Sequence, residues 1–197
     1  MLAARLLELE LDAPVVVALP RGGVPVGHEV AQALGAPLDV ALVRKLGAPG
    51  QPELGIGAVG EDGTVVLDED TIAALGVTLE QIEAVAEREA VELERRRALY
   101  RGDAPAIDVA GRTVVLVDDG IATGVTTTAA CEMLRRRGPR RLIVAVPVCA
   151  RGALDRLHDR LGEVICLQRP PRFRGVGAWY DDFTQTSDDE VVELLRG

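Results

Sequence analysis

The chain has 197 residues, of which 48% are hydrophobic and 27% charged, so it can bury a sizeable core and is not a disordered segment. Lysine and arginine number 22 against 31 acidic residues, and the formal net charge of −9 argues against a nucleic-acid partner, which would require a basic face. Apolar runs such as 142–148 are too short to cross a bilayer and no secretion signal is recognisable, so we expect a cytoplasmic protein with no membrane partner.

Alternating strand and helix patterns predict an α/β fold with a mostly parallel, doubly wound sheet. Apolar runs separated by Gly and Pro predict, in the first half, a buried strand at 15–19, a helix at 25–34, a buried strand at 38–43, an irregular segment at 44–60, a hairpin pairing 54–59 with 64–67, and a long helix at 79–100. In the second half they predict a strand at 113–117, a helix at 126–137, a strand at 142–148, a helix at 153–161, a strand at 164–167, an irregular tail over 168–185 and a last helix opened by a Ser187-x-x-Glu190 capping box.

We expect one domain over residues 1–197. Its core comprises about 1–43 and 105–167, and the loop, hairpin and long helix fill about 44–104, leaving a tail over about 168–197. The three cysteines, Cys131, Cys149 and Cys166, form no Cys-x-x-Cys and sit among apolar neighbours, which predicts buried free thiols. The two histidines, His28 and His158, have no nearby ligand partners and are expected on helix surfaces.

The run from Val114 to Thr127 is the most informative part of the sequence. A buried strand ends in two adjacent carboxylates, Asp118 and Asp119, at the sheet edge where α/β proteins bind ligands. A short loop then enters a helix whose first N–H groups form a phosphate cradle, with threonine hydroxyls beside it. Because like charges repel, the acids must face sugar hydroxyls, a metal ion or both. The combination predicts a site for a phosphorylated sugar, and surface acids followed by capping threonines are the alternative interpretation.

This run resembles the phosphoribosyl-pyrophosphate (PRPP) motif of type I phosphoribosyltransferases. The resemblance implies that Asp118 and Asp119 hold the ribose hydroxyls, often with Mg²⁺ nearby. It also implies that the loop holds the 5′-phosphate through Thr123, Gly124, Val125, Thr126 and Thr127. The strand at 15–19 followed by Arg21, Gly22 and Gly23 resembles the family's pyrophosphate loop, which often contains a non-proline cis peptide. The whole chain is similar to a bacterial branch of this family with an "LPRGGVPVG … VRKLGAPGQPELGIGAV" pattern.

A mobile loop that closes over the site is implied for residues 44–67. All 22 basic residues except Lys45 are arginines, so this lysine is a candidate point charge for the departing pyrophosphate, together with Arg44. With Asp118 and Asp119, these two residues form the predicted catalytic set. Survival of one lysine by chance is the alternative explanation.

The tail resembles the Val-Gly-x-x-x-Asp segment of purine phosphoribosyltransferases, which forms part of a hood over the base. The resemblance implies base contacts from Val176, Trp179 and Tyr180, and a role for Asp181 in holding the metal, directly or through water, with Asp118 and Asp119. Trp179 either stacks on the base or pins the tail to the core, and the sequence leaves both open. Ala122 stands where 6-oxopurine enzymes have an acid, which counts against hypoxanthine or guanine, although adenine and orotate relatives also lack that acid.

The resemblance implies an enzyme that transfers ribose 5-phosphate from PRPP to a nitrogen nucleophile, with Mg²⁺, and it leaves room for a homodimer. A non-enzymatic PRPP or nucleotide sensor is the second hypothesis. A nucleotide-dependent oxidoreductase is disfavoured, because Gly55-Ile-Gly-Ala-Val-Gly60 has the letters of the dinucleotide fingerprint but does not lead from a buried strand into a helix.

Overall fold

The computed structural model describes the backbone of residues 1–197 and every side chain except those of residues 156–158, so the predicted surface position of His158 lies outside the described residues. In chain order the elements are α1 (Leu2–Leu7), β1 (Val15–Ala18), α2 (Gly23–Leu34), β2 (Leu38–Val40), β3 (Val43–Ala48), β4 (Gln51–Gly60), β5 (Val65–Leu67), α3 (Glu69–Leu75), α4 (Leu79–Arg101), β6 (Thr113–Val117), α5 (Val125–Arg136), β7 (Arg141–Val148), α6 (Arg151–Leu161), β8 (Glu163–Gln168), a 3-10 turn (Val176–Trp179) and α7 (Asp188–Arg196).

The central layer is a five-stranded parallel sheet in the order β2-β1-β6-β7-β8, which confirms the predicted fold class. The central strands β1 and β6 are buried on both faces, as their continuous apolar runs predicted, whereas the edge strand β8 is only partly buried. Val15 and Leu116 belong to the core on the face covered by α5, whereas Val16 and Val115 pack with α1 and α2 on the other face. Because β1 and β6 are central neighbours, the loops that follow them meet at one edge of the sheet.

The segment after β2 differs from the prediction. The apolar run at 38–43 reads as one strand, but the chain leaves the parallel sheet after Val40 and begins a separate antiparallel sheet in the order β3-β4-β5. A buried ion pair between Arg101 and Asp39 (2.9 Å) holds this exit, and Arg101 also donates to the carbonyl oxygen of Val40. Arg101 is more than sixty residues from Asp39 in the sequence, so the apolar pattern of residues 38–43 could not predict that β2 ends at Val40.

Residues 44–60 are not irregular, because β3 and β4 pair from Val43↔Gly60 to Ala48↔Gln51 with register shifts around Gly47. The predicted pairing of 54–59 with 64–67 is confirmed by the β4–β5 ladder. Helices α1 and α3 were not predicted, and both are short. The long helix and the other strands lie within two residues of their predicted bounds, and the Ser187–Glu190 capping box is present.

The last helix docks back onto α2, since Nδ1 of His28 donates to the carbonyl oxygen of Leu194 (3.0 Å). The expectation of a surface histidine was therefore wrong for His28, which is half-buried. All three cysteines are free, and Cys131 and Cys149 are buried as expected, but Cys166 is half-buried. Among the described residues, no helix combines the length and apolarity that a membrane span requires.

Candidate functional site

Two adjacent carboxylates occupy the carboxyl end of the central strand β6. Asp118 and Asp119 follow Val117 directly and are half-buried. The backbone N–H of Asp119 donates to Oδ1 of Asp118 (2.9 Å), so the Asp118 carboxylate is held against the backbone of the next residue. The motif therefore lies where the sequence placed it, at the ligand-binding edge of the parallel sheet.

The environment of this pair disfavours two negative charges in the unliganded protein. Burial raises the pKa of Asp118 well above its usual range, and repulsion by Asp119 raises it further. Burial also raises the pKa of Asp119. A ligand that supplies hydroxyl donors or positive charge would relieve this cost, and this makes the pair a candidate binding site rather than a surface feature.

The loop after β1 packs directly on the two acids. A Cβ added at Gly22 would lie 2.0 Å from Oδ2 of Asp119, and one at Gly23 would lie 2.9 Å from the carbonyl oxygen of Val117 and 3.0 Å from Cα of Asp118. Only glycine allows this approach. The peptide between Pro20 and Arg21 is cis, as the family resemblance implied. The structure thus joins the two sequence-predicted loops into one site.

The Arg21 side chain points toward the N-terminal end of the last helix, α7. Its guanidinium lies 3.8 Å from Oδ1 of Asp188, which also accepts a hydrogen bond from the hydroxyl of Tyr100 (2.5 Å). The other carboxylate oxygen of Asp188 accepts from Arg95 (2.9 Å). Asp188 therefore connects the Arg21 loop to α4 and α7, a role that no sequence pattern indicated.

The predicted phosphate cradle is the start of α5. Gly124 caps the helix in a left-handed conformation (φ 82°) and offers no side-chain hydrogen bond to the first N–H groups. These groups therefore remain for a ligand anion at the positive end of the helix dipole. Thr123 is exposed and Thr126 is half-buried, whereas Thr127 is buried. Thr123 and Val125 line a cavity of about 840 Å³ beside α3.

The C-terminal tail contacts the backbone of the loop that carries the two acids. The hydroxyl of Tyr180 donates to the carbonyl oxygen of Asp119 (2.6 Å), and its ring lies 5.1 Å from that of Phe183. Val176 packs against the backbone of Gly120, where a Cβ would approach its methyl groups to 2.8 Å. The predicted hood residues Val176 and Tyr180 therefore contact the motif loop, but Trp179 is 41% exposed and lies outside the residues that line the adjoining cavity.

A cavity of about 630 Å³ lies between the Arg21 loop and the tail. It is lined by Arg21, Gly22, Pro25, Val26, Asp119, Tyr180, Asp182, Phe183, Thr184, Gln185, Thr186 and Glu190. The sequence interpretation anticipated four of these residues and missed the others. It selected Asp181, but the acid that lines the cavity is the neighbouring Asp182, and both side chains are exposed. The density of aromatic residues near 180 was the available signal for Phe183.

Arg44 and Lys45 lie apart from this cavity. Nε of Arg44 forms an ion pair with Glu89 on α4 (2.7 Å), and Nζ of Lys45 donates to the carbonyl oxygen of Glu53 across the hairpin (2.7 Å). Both line a third cavity, of about 530 Å³, between the hairpin and α4. The structure therefore does not bring these two residues to the acids in this conformation.

Comparisons with known proteins give the family. The sequence profile of the phosphoribosyl transferase domain matches residues 1–176. A Mycobacterium tuberculosis protein that is provisionally named a phosphoribosyl transferase is 48% identical over 194 residues, which cover 98% of this chain and 44% of that protein. The chain thus spans less than half the length of the curated relatives that it matches along its whole length.

Two further likenesses agree with this result. The crystal structure of TT1426 from Thermus thermophilus superposes with a TM-score of 0.82 at 47% identity, covering 98% of this chain and 92% of that one. A ribose-phosphate pyrophosphokinase of Pyrococcus furiosus is 43% identical over 60 residues, 29% of this chain and 22% of that enzyme. The profile match spans both the Arg21 loop and the Asp118–Thr127 run, and the chain belongs to the phosphoribosyl transferase domain family.

Proposed function

We propose that this chain transfers the ribose 5-phosphate group of PRPP to a nitrogen nucleophile and releases pyrophosphate. The observation that carries the proposal is the direct packing of the Gly22–Gly23 loop on Asp118 and Asp119, next to the open start of α5. One edge of the sheet thereby offers carboxylates for sugar hydroxyls beside backbone N–H groups for phosphate. A phosphorylated ribose needs both, a few ångströms apart.

In this proposal, different residues bind the ribose, the 5′-phosphate and the pyrophosphate of PRPP. Asp118 and Asp119 accept hydrogen bonds from the ribose hydroxyls, and their negative charge stabilises the positive charge that grows on the sugar ring as the bond to pyrophosphate breaks. The first N–H groups of α5 and the hydroxyls of Thr123 and Thr126 hold the 5′-phosphate. Arg21 and the N–H groups of the Gly22–Gly23 loop receive the pyrophosphate. Catalysis then consists of placement and electrostatic stabilisation.

A magnesium ion is part of this proposal. Mg²⁺ favours oxygen ligands and commonly binds through one or two carboxylates together with water and substrate phosphates. The Asp118–Asp119 pair matches that donor set. Among the described residues, no group of three or more candidate protein ligands is assembled, so we expect the ion to bind with PRPP rather than to the protein alone. Bound in this way, it would help to neutralise the charge of the leaving pyrophosphate.

Arg44 and Lys45 enter the site only if the β3–β4 hairpin moves toward it. We include this closure in the proposal because a closed hairpin would exclude water from the sugar and bring two cations toward the pyrophosphate. The same closure would protect the reactive ribose from hydrolysis. We place the reaction in the cytoplasm.

The double variant Asp118→Asn/Asp119→Asn tests the sugar site. Each asparagine keeps the shape and the Oδ1 acceptor but removes the charge, so the fold should persist while PRPP affinity with Mg²⁺ falls by at least about 100-fold, the order expected for two charged hydrogen bonds. Titration calorimetry measures the affinity, and circular dichroism verifies the fold. The matched control is Asp108→Asn with Asp155→Asn, which removes two exposed carboxylates elsewhere. Unchanged affinity in the folded double variant would contradict the proposal.

A further inference from the structure

The guanidinium of Arg21 is directed by one contact. The side chain lines the cavity between its loop and the tail and is 25% exposed. Among the described residues, its one ion pair joins Nη1 to Oδ1 of Asp188, at 3.8 Å. That distance is too long for a hydrogen bond, so the charge of Arg21 is attracted to Asp188 while its N–H donors stay free for a ligand.

Asp188 is held in place by groups other than Arg21. It lies in the first turn of α7, where the positive end of the helix dipole favours a negative charge. Its Oδ1 accepts from the hydroxyl of Tyr100 (2.5 Å), and its Oδ2 accepts from Nη2 of Arg95 (2.9 Å). The hydrogen bond from Tyr100, together with that from Arg95, lowers the pKa of Asp188, so the group is charged at neutral pH. The carboxylate is therefore a fixed negative charge between α4 and α7.

A fixed charge matters here because Arg21 has other acids within its cavity. Asp119 lines the same space, as do the exposed residues Asp182 and Glu190. An arginine that paired with Asp119 would neutralise an acid assigned to the ribose. A free arginine side chain also loses rotamer freedom when it binds a ligand, and this loss weakens binding. Attraction to Asp188 favours one direction of the side chain before a ligand arrives.

We propose that Asp188 is a positioning residue, which holds the Arg21 guanidinium toward the start of α7 with its donors free, so that pyrophosphate meets a cation already in place. The inference rests on the proposed function, which assigns Arg21 to pyrophosphate. Asp188 does not itself bind the substrate. Because its negative charge repels a nearby anion, its removal should weaken pyrophosphate binding if it positions Arg21 and strengthen binding if only its charge matters.

Asp188→Asn separates these two effects. The amide oxygen of asparagine can accept from Arg95 while its nitrogen donates to the hydroxyl oxygen of Tyr100, so the fold should persist, as circular dichroism would verify. Titration calorimetry with pyrophosphate and Mg²⁺ measures the affinity. We expect a loss of about three- to tenfold, the range for ordering one long side chain on binding. Unchanged or tighter pyrophosphate binding would overturn the proposal.

Asp189→Asn is the matched control. It removes the same charge from the same first turn of α7, but Asp189 is exposed and lies outside the cavity lining. This control should not weaken pyrophosphate binding, whereas Asp188→Glu, which keeps the charge, should restore part of the affinity lost in Asp188→Asn. An equal loss in Asp189→Asn would assign the effect to the charge of the helix end and would contradict a specific role for Asp188.

A double-mutant cycle distinguishes positioning from a purely structural role. If Asp188 acts through Arg21, Asp188→Asn should have no further effect on pyrophosphate affinity in an Arg21→Ala background. The same loss in both backgrounds would mean that Asp188 only supports the packing of α7 on α4, and the proposal would be wrong. Ribose 5-phosphate, which lacks the pyrophosphate group, should bind Asp188→Asn as tightly as it binds the wild type.

The outcome is separable from that of the proposed function. A wild type that forms product from PRPP, with unchanged pyrophosphate affinity in Asp188→Asn, would overturn the positioning role and leave the transferase proposal standing. A wild type that shows the Arg21-dependent loss of pyrophosphate affinity but forms no product from PRPP would support the positioning role and contradict the transferase proposal.

Discussion

In the proposed function, Asp118 and Asp119 stabilise a bound substrate at the expense of the unliganded fold. Both carboxyls have a raised pKa in the folded protein, mainly because they are buried, and Asp118 also because its neighbour repels it. A site that is costly without its ligand is common where activity requires preorganised charge. Gly22 and Gly23 also cost stability, because glycine loses more conformational freedom on folding than other residues do. In return, they let the backbone of the loop approach the two acids closely.

The two acids should make the stability of the unliganded protein depend on pH. A carboxyl whose pKa is higher in the folded than in the unfolded state makes the fold less stable as pH rises from its unfolded pKa, near 3.8, through its folded pKa. In metal-free buffer, Asp118→Asn/Asp119→Asn should therefore be more stable than the wild type at pH 7, with the difference shrinking toward pH 4. Each kcal/mol of gain would raise Tm by about 2–4 °C in a chain of this size. A double variant that melts below the wild type at pH 7 would contradict this account.

The hairpin formed by β3 and β4 carries Lys45, to which the proposed function gives a catalytic role after closure. The hairpin packs on α5 and α4, and in this conformation Lys45 donates to a backbone carbonyl of its own hairpin rather than to a group near Asp118 and Asp119. Of the elements, the strands of the parallel sheet and the motif loop were predictable, because continuous apolar runs and the Asp-Asp-to-Thr pattern are local. The start of β3 was not, since Arg101 and Asp39 fix it through a contact distant in sequence.

If closure brings Lys45 to the pyrophosphate, its loss should slow chemistry more than it weakens ground-state binding. Lys45→Ala should lower kcat by about 10²–10³-fold, the range for one preorganised charge contact, with a smaller change in PRPP affinity. Lys45→Arg should restore activity only partly, because guanidinium is planar and bulkier than ammonium. Steady-state kinetics with calorimetry separates the two effects.

Arg88→Ala is the control for this substitution. It removes another cation from the same third cavity, and its Nε donates only to a carbonyl of its own helix among the described contacts (Ala84, 3.2 Å), so kcat should not change. Full activity in Lys45→Ala would assign the role to Arg21 and Arg44 instead.

The fold brings together, from segments far apart in the sequence, the protein groups that form the candidate site. The Arg21 loop, the motif after β6 and the tail from 176 to 190 meet at one edge of the sheet. The sequence could predict the first two from their motifs, and it identified the tail by resemblance. It chose Asp181 over Asp182 because a motif fixes spacing along the chain, whereas the turn after the Val176–Trp179 segment decides which side chain lines the cavity. Asp188 was not predictable, because its importance lies in contacts with Arg21, Arg95 and Tyr100.

The net charge of −9 constrains the proposed function, since PRPP is itself strongly anionic. To bind PRPP as proposed, the molecule would have to offer helix N–H groups, Arg21 and a metal ion at one place. That local arrangement, rather than the overall charge, would then determine the ligand. The homodimer that the family resemblance allows stays a prediction.

Release of pyrophosphate distinguishes PRPP-dependent transfer from PRPP binding alone. The protein is incubated with PRPP labelled in its pyrophosphate group, Mg²⁺ and each of a panel of nitrogen heterocycles, and labelled pyrophosphate is separated from PRPP over time. We predict release that requires an acceptor and is abolished in Asp118→Asn/Asp119→Asn, with a ribosylated acceptor formed in equal amount. Tight PRPP binding without acceptor-dependent release across the panel would contradict the claim and would instead indicate a protein that senses PRPP.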